Sequence, residues 1–584
     1  MNLKKITALG LSATMAASML LTGCGGSASS DEEMNSFTYF LSDSCETYFA
    51  EEYEDAPAVK YWLSKEWDVD GTPTKVSIDF ITPTSGGGRD QISTLIATGE
   101  YPDVINMAYV ANTVNELYDE GVIIDLTDYV EKYMPNYMAY MEEHPTYKKQ
   151  MYNEGKILQL YAVANGSEDP WGGFCYRRDW LVKYGTNPET GEAFTGGWVD
   201  EEKTVWEDDV VFPSGGTDPV TISDWEFMFE AFKKAVETEA IDGGYAMQNY
   251  YLGYHPTGDI NAGFNGSCNF YLDQEGVVQD GYVEDGTRAF IECMNYWYEQ
   301  GWMDPQFEER SNDVVWTYID TAGVYSGKVG LWYGLESQLG NDLETADYPE
   351  TDGICVYGAA QPINDKYGDA SVQNVEPWAF FMNSWVSSPV VITNKAEEKN
   401  LPALLTALDY LYTTEGSMLH TYGLSDTQQA EVQDELYKEY GLDGTYTIGT
   451  DEEGNTCYYL VNVTDIESGL NDAVAANFVV GLYNRQNYVK DYSELVQRAK
   501  KQWTIYDGTG CLMNTSITSK IGTEYSDRVS QITTPINQYV STAIPDFVTG
   551  RTELNDGTWQ EFCDTIEGYG AAEYVDILNE AANN

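Results

Sequence analysis

Asp90-Gln91-Ile92-Ser93-Thr94-Leu95-Ile96-Ala97-Thr98-Gly99-Glu100-Tyr101-Pro102-Asp103-Val104-Ile105 decides the fold. Ile92, Leu95 and Ile96 recur at helical spacing, and Gly99 is the residue that ends such a helix. Tyr-Pro-Asp then reads as a turn into a short apolar strand. Upstream, Lys75–Ile81 alternates apolar and polar residues as a half-buried strand does, and Phe37–Leu41 reads as the first strand. A helical stretch over 55–66 lies between them. Gly86-Gly87-Gly88 precedes the 91–98 helix but lacks the Gly-Lys-Ser/Thr ending of a phosphate cradle, so a flexible loop is expected there. Strand, helix and strand with short connections make an α/β layer.

Further along, Ser223-Asp224-Trp225-Glu226 has the form of a capping box, and Trp225, Met228, Phe229, Phe232 and Val236 share a helical face. Ala289, Phe290, Cys293, Met294, Trp297 and Tyr298 form a second such face. Leu401, Leu404, Leu405, Leu408 and Leu411 form a third, ended by Thr414-Glu415-Gly416. Residues 183–220 are rich in Gly, Asp and Trp and read as an enlarged surface loop. Residues 423–500 also look expanded, with a hairpin turn expected at Glu452-Glu453-Gly454-Asn455. No internal repeat is found.

The charge is extreme, with 31 Lys and Arg against 95 Asp and Glu, a net −64. Such a body repels nucleic acid and polyanions at long range and offers no basic stripe for phosphates. Nine Cys form no C-x-x-C pair, and the three His (His144, His255 and His420) are far apart, so zinc-type spacing is absent. If Cys24 is modified, eight Cys remain and permit many disulfide pairings, among which the sequence selects none. Glu237–Gly244 lacks the alternating oxygen ligands of a calcium loop. Neither a metal nor another cofactor is expected, although Ca²⁺ is not excluded. No Gly-x-Ser-x-Gly elbow, His-Glu-x-x-His or Walker loop occurs, which lowers the case for an enzyme.

At the start, Lys4 and Lys5 precede an apolar run from Ile6 to Leu21, the pattern of a secretory leader. Leu21-Thr22-Gly23-Cys24 resembles the lipobox of bacterial lipoproteins. That resemblance implies a signal peptide over 1–23, diacylglycerol on the Cys24 thiol and a flexible tether over 24–35. The remainder would be a body held on the outer face of the cell membrane by its lipid.

The stretch over 90–105 resembles the early motif of extracellular solute-binding proteins of ABC sugar importers, in the maltose-binding-like group. Ile123–Val130, Gly155–Leu160, Cys175–Leu181, Glu299–Pro305 and Gly327–Tyr333 resemble later marks of the same family in the same order. Ile392–Lys395 with the 401–411 helix and Phe547–Gly550 with Trp559 and Gly568–Tyr574 continue the series. The resemblance spans nearly the whole mature chain. It implies a type II periplasmic-binding-protein fold, with two α/β lobes joined by a hinge and a ligand cleft between them. The expected division is 36–160 plus 334–390 for the first lobe and 161–333 plus 391–584 for the second. Crossovers are expected near 157–165, 329–334 and 388–394.

It also implies capture of a solute by hinge closure and delivery to ABC permease subunits, without covalent chemistry, by a monomer. A sugar ring has an apolar face and a polar rim, and 46 Tyr and 15 Trp suit such stacking. A neutral oligosaccharide is therefore the expected ligand. Residues placed at family strand ends are the candidate contacts: Tyr39, Asp103, Tyr109, Trp171, Tyr176, Arg177, Trp332, Tyr333 and Trp378. Each Trp has core packing as its alternative, Asp103 a cap or turn role, and Arg177 an ordinary ion pair. Two other functions stay open: a surface-anchored glycoside hydrolase or lyase, and the same fold used for peptides or another small solute.

Overall fold

The computed structural model describes residues 30–583 other than 43–52, 84–86, 166–169, 171, 240, 249–259, 274, 310–320, 341–342, 344–352, 378–386, 451–453, 462–478, 486–487, 490–491, 507–516 and 519. Ten strands build its two main sheets. In chain order they are β1 (Ser36–Phe40), β2 (Ser77–Ile81), β3 (Val104–Asn106), β4 (Leu160–Ala164), β5 (Gly172–Arg177), β6 (Tyr245–Met247), β7 (Val329–Leu335), β8 (Val356–Ala359), β9 (Ser387–Ile392) and β10 (Leu482–Tyr483).

The first sheet has the order β10-β4-β9-β3-β1-β2, with β9 antiparallel to both of its neighbours and the other pairs parallel. The expected helix forms at Gly88–Thr98 and ends at Gly99 with φ of 71°, a left-handed cap that only glycine adopts freely. It packs with β3 and Val391 in an apolar layer on one face of the sheet. The other face is covered by helices that include Pro57–Ser64, Thr127–Tyr133 and Leu401–Tyr410.

The second sheet has the order β6-β7-β5-β8, with β5 antiparallel to both β7 and β8. Its larger core holds the helices Ile222–Glu239 and Asp285–Glu299, and the three closing helices Ser526–Val548, Asp556–Gly568 and Ala571–Asn583. Its opposite face is closed by the helix Glu494–Trp503, whose Ala499 joins Cys175, Trp332 and Val356 in a separate cluster. Gly173 lets this contact form, because a Cβ there would collide with the Trp503 ring.

The architecture is the expected two-lobed α/β fold, but its division differs from the expected boundaries. Segment 356–359 lies in the second sheet, not the first lobe, and Leu401–Tyr410 packs wholly in the first-lobe core. Segment 329–334 is an interior strand of the second sheet rather than a crossover. The apolar face of Leu401–Tyr410 fits either core equally well, so only long-range packing decides. The first lobe thus comprises the elements up to Ala164 and those from Ser387 to Val489. The second comprises those from Gly172 to Val372 and from Glu494 onward.

Two local readings also shift. The helix over 222–239 is capped by Thr221 and Asp224, not Ser223 and Glu226. Thr221 Oγ1 accepts from Asp224 N at 3.2 Å and Asp224 Oδ2 from Thr221 N at 3.0 Å. Glu226 instead accepts from Trp297 Nε1 and pairs with Lys366. The expected hairpin forms between Tyr446–Thr450 and Thr456–Leu460. In the 183–220 insertion, Gly196–Trp198 and Trp206–Asp208 form a hairpin held by buried Arg178 through a two-pronged pair with Asp208. Six described Cys are free thiols. Among the described residues no helix is long and apolar enough to cross a membrane.

Candidate functional site: the hinge and the interlobe edge

The chain passes between the lobes three times: from β4 to β5, back from Val372 to β9, and from β10, by way of the short first-lobe strand Tyr488–Val489, to the helix at Glu494. On the first-lobe side all three passages use neighbouring strands, β10, β4 and β9. Asn165 Oδ1 accepts from Arg485 N at 2.7 Å, and Asn165 N donates to Tyr483 O at 3.1 Å. On the second-lobe side Lys500 does the corresponding work. Its ammonium donates to Pro170 O at 2.5 Å and pairs with Glu336 at 2.6 Å. The first and third passages are thus tied together at both ends. Three side-by-side connections permit bending about one axis while resisting twist, the form of a hinge.

His420 lies under β10, with its Nε2–H donating to Val479 O at 3.0 Å. Burial pushes its pKa down to about 4, so the ring is neutral at ordinary pH. A further contact joins the lobes away from the hinge strands. Lys520, 4% exposed, donates to Tyr152 O at 2.5 Å, while Asn115 Nδ2 donates to Lys520 O at 3.4 Å. Asn153 Nδ2 donates to Asn115 Oδ1 at 2.6 Å and completes the bracket. Burial, aided by Lys149, pushes the Lys520 pKa down to about 8. None of these hinge and bracket residues carries a sequence motif. They could be found only by knowing which strands become neighbours.

Five of the nine candidate contacts prove to be interior groups. Tyr39 is fully buried and its hydroxyl accepts from Val480 N at 3.2 Å, bracing the approach to β10, and burial raises its pKa. Asp103 is 2% exposed and accepts from Thr38 and Lys399. Tyr176 is fully buried beneath Arg178, with its pKa pushed by burial up to about 12. Arg177 forks onto Asp179 at 2.9 and 2.6 Å and lies over the Trp180 ring at 4.3 Å. Trp332 is fully buried, with Nε1 donating to Gln338 Oε1 at 3.0 Å. Trp332 is interior because the second sheet is covered on both faces.

Tyr109 and Tyr333 are different. Each is half-buried near the C-terminal end of its strand, Tyr109 against Gly88 and Tyr333 edge-on to Phe174 with centroids 5.5 Å apart. They lie in separate lobes. Trp171, Trp378 and Cys24 lie outside the described residues. Among the described residues no group of three or more His, Cys, Asp or Glu is arranged to hold a metal.

No family model matches this sequence, and no curated protein does. Solved structures match across its length. An extracellular solute-binding protein from Bifidobacterium longum subsp. infantis has a TM-score of 0.63 at 14% identity, covering 94% of this chain and 98% of that one. The HMO-binding, ABC-transporter-associated solute-binding protein from Bifidobacterium longum infantis has 0.59 at 14%, covering 94% and 98%. The Streptococcus pneumoniae ABC-transporter substrate-binding protein FusA, solved with fructo-nystose, has 0.56 at 16%, covering 94% and 99%. With two sheets of this order joined by three neighbouring strands, the chain has the two-lobed fold of the extracellular solute-binding proteins.

Proposed function

We propose that this protein captures a carbohydrate, a neutral oligosaccharide, between its lobes and delivers it to an ABC permease. The observation that carries the proposal is the hinge: three neighbouring strands join two lobes that each have their own core. A ligand touching both lobes stabilises the closed form by its differential affinity for the two states, and no bond need be made or broken. The structural neighbours, named for HMO binding or solved with fructo-nystose, support a sugar. Tyr109, Tyr333, Trp171 and Trp378 are the proposed aromatic contacts. The lipobox-like Leu21–Cys24 supports a lipid anchor at Cys24 on the extracellular face, with the body acting as a monomer.

The test uses the body without its leader. Thermal-shift screening against neutral oligosaccharides should find a ligand that raises the melting temperature. Small-angle scattering should then show a smaller radius of gyration, and mass spectrometry should recover the ligand intact. Cleaved or eliminated product would favour a hydrolase or lyase. Compaction by peptides but by no sugar would move the ligand class and keep the mechanism.

A further inference from the structure

Strands β6, β7 and β8 run in one direction, so their C-terminal ends share one edge of the second sheet. The chain enters the lobe at the same edge, where β5 begins at Gly172. Ligands of α/β folds are met at such edges. Here three uncharged side chains hold buried polar atoms that no protein group satisfies. Gln248, 6% exposed, directly follows β6, and both its Oε1 and its Nε2 are unpartnered. Gln361, two residues beyond β8, has an unpartnered Oε1. Fully buried Trp225 has an unpartnered Nε1.

Printed contacts link these residues to one neighbourhood. Gln248 N donates to Leu331 O at 2.8 Å, which places it two residues from Tyr333 on β7. Tyr333 meets Phe174, and Phe174 meets Trp225 with centroids 4.9 Å apart. Phe174 also stands opposite Ala359, next along the chain to Ala360 and Gln361. Asn364 N donates to Gly263 O at 2.9 Å, and Ile222 N to Ile363 O at 2.9 Å. Trp225 therefore flanks the segment that follows Gln361.

Buried amides without partners are rare in folded proteins because desolvation is not repaid. Their accumulation at one sheet edge marks a place where a ligand completes the hydrogen bonds. The set comprises two acceptors and two donors and carries no charge. Hydroxyl groups donate and accept together, which this mixture matches. A carboxylate only accepts, so it would leave both glutamine oxygens without a donor. The nearby cations are engaged, Lys366 with Glu226 and Lys500 with Glu336.

We infer that Gln248, Gln361 and Trp225 form the second lobe's half of the ligand site and read the hydroxyl groups of an uncharged sugar. This rests on the sugar-binding reading above. The test compares wild type with Gln248→Met and Gln361→Met, which keep length and remove polarity. The readouts are melting temperature without ligand and retention on an array of neutral and uronic-acid oligosaccharides. Wild type should retain neutral sugars and not uronates. Each variant should melt no lower than wild type and lose about tenfold or more in retention. Lower melting with unchanged retention would make the amides structural and overturn the inference alone. So would a preference of wild type for uronates. Retention of no sugar by folded wild type would overturn the sugar reading itself.

Discussion

Lys520 of the second lobe donates its ammonium to the backbone carbonyl of Tyr152 in the first lobe at 2.5 Å, and it does so almost out of reach of solvent. A charge so placed loses hydration that one or two carbonyls only partly replace, which is why its pKa falls from the ordinary lysine value to about 8.

The sign of the pH dependence follows from proton counts. Between about pH 8 and 10.5 the free lysine holds more proton than the docked one, so docking becomes more favourable as pH rises through this window. The burial cost is fully present below pH 8. Across the window the gain is on the order of 3 kcal/mol. Wild type should therefore gain in melting temperature relative to Lys520→Met between pH 8 and pH 10. A gap that stays constant over that range would mean the amine is solvated.

Trp332 calls for a different expectation. It is enclosed by Cys175, Val356 and Ala499, and its indole N–H bonds to Gln338. Trp332→Ala should cost about 3–5 kcal/mol of stability. Ligand affinity in the remaining folded protein should be unchanged, as measured by calorimetry below the melting transition. Weakened binding at unaltered melting temperature would return Trp332 to the cleft.

Much of the fold was readable because local periodicity and turn chemistry agree over 75–105, where the helix ends at Gly99 as expected. The lobe boundaries were not. A two-residue strand such as Leu482–Tyr483 has too little pattern to be recognised, yet it supplies one of the three passages. The burial of Trp332 is illegible for a related reason. The helix that buries it, Glu494–Trp503, lies far downstream, and nothing near Trp332 announces it. Amides such as Gln248 are silent in a sequence for the same reason, since only burial distinguishes them from surface residues.

Anchoring is tested at Cys24. If the thiol after Leu21-Thr22-Gly23 carries diacylglycerol, Cys24→Ala should abolish partition into a detergent phase. The protein would then be retained as precursor or released to the medium. A variant that still partitions like wild type would contradict the lipobox reading.

Asp103 joins three chain segments. Its Oδ2 accepts from Thr38 N at 2.8 Å, Thr38 Oγ1 at 2.9 Å and Lys399 Nζ at 2.8 Å. Its carbonyl accepts from Thr393 N at 2.9 Å. A carboxylate is needed because every neighbour is a donor. Asp103→Asn keeps the shape but turns an amide toward a donor or leaves the Lys399 charge unpaired, a change of about 3–5 kcal/mol when the pair is buried. Lys399 is the more exposed partner, so the lower end of that range is expected. Lys399→Met alone should also destabilise. The double variant should cost less than the sum of the two single changes, because each single one already breaks the pair. Chemical denaturation of the three variants measures that coupling. Additive costs, or a loss of ligand affinity at unchanged stability, would show instead that Asp103 faces the cleft.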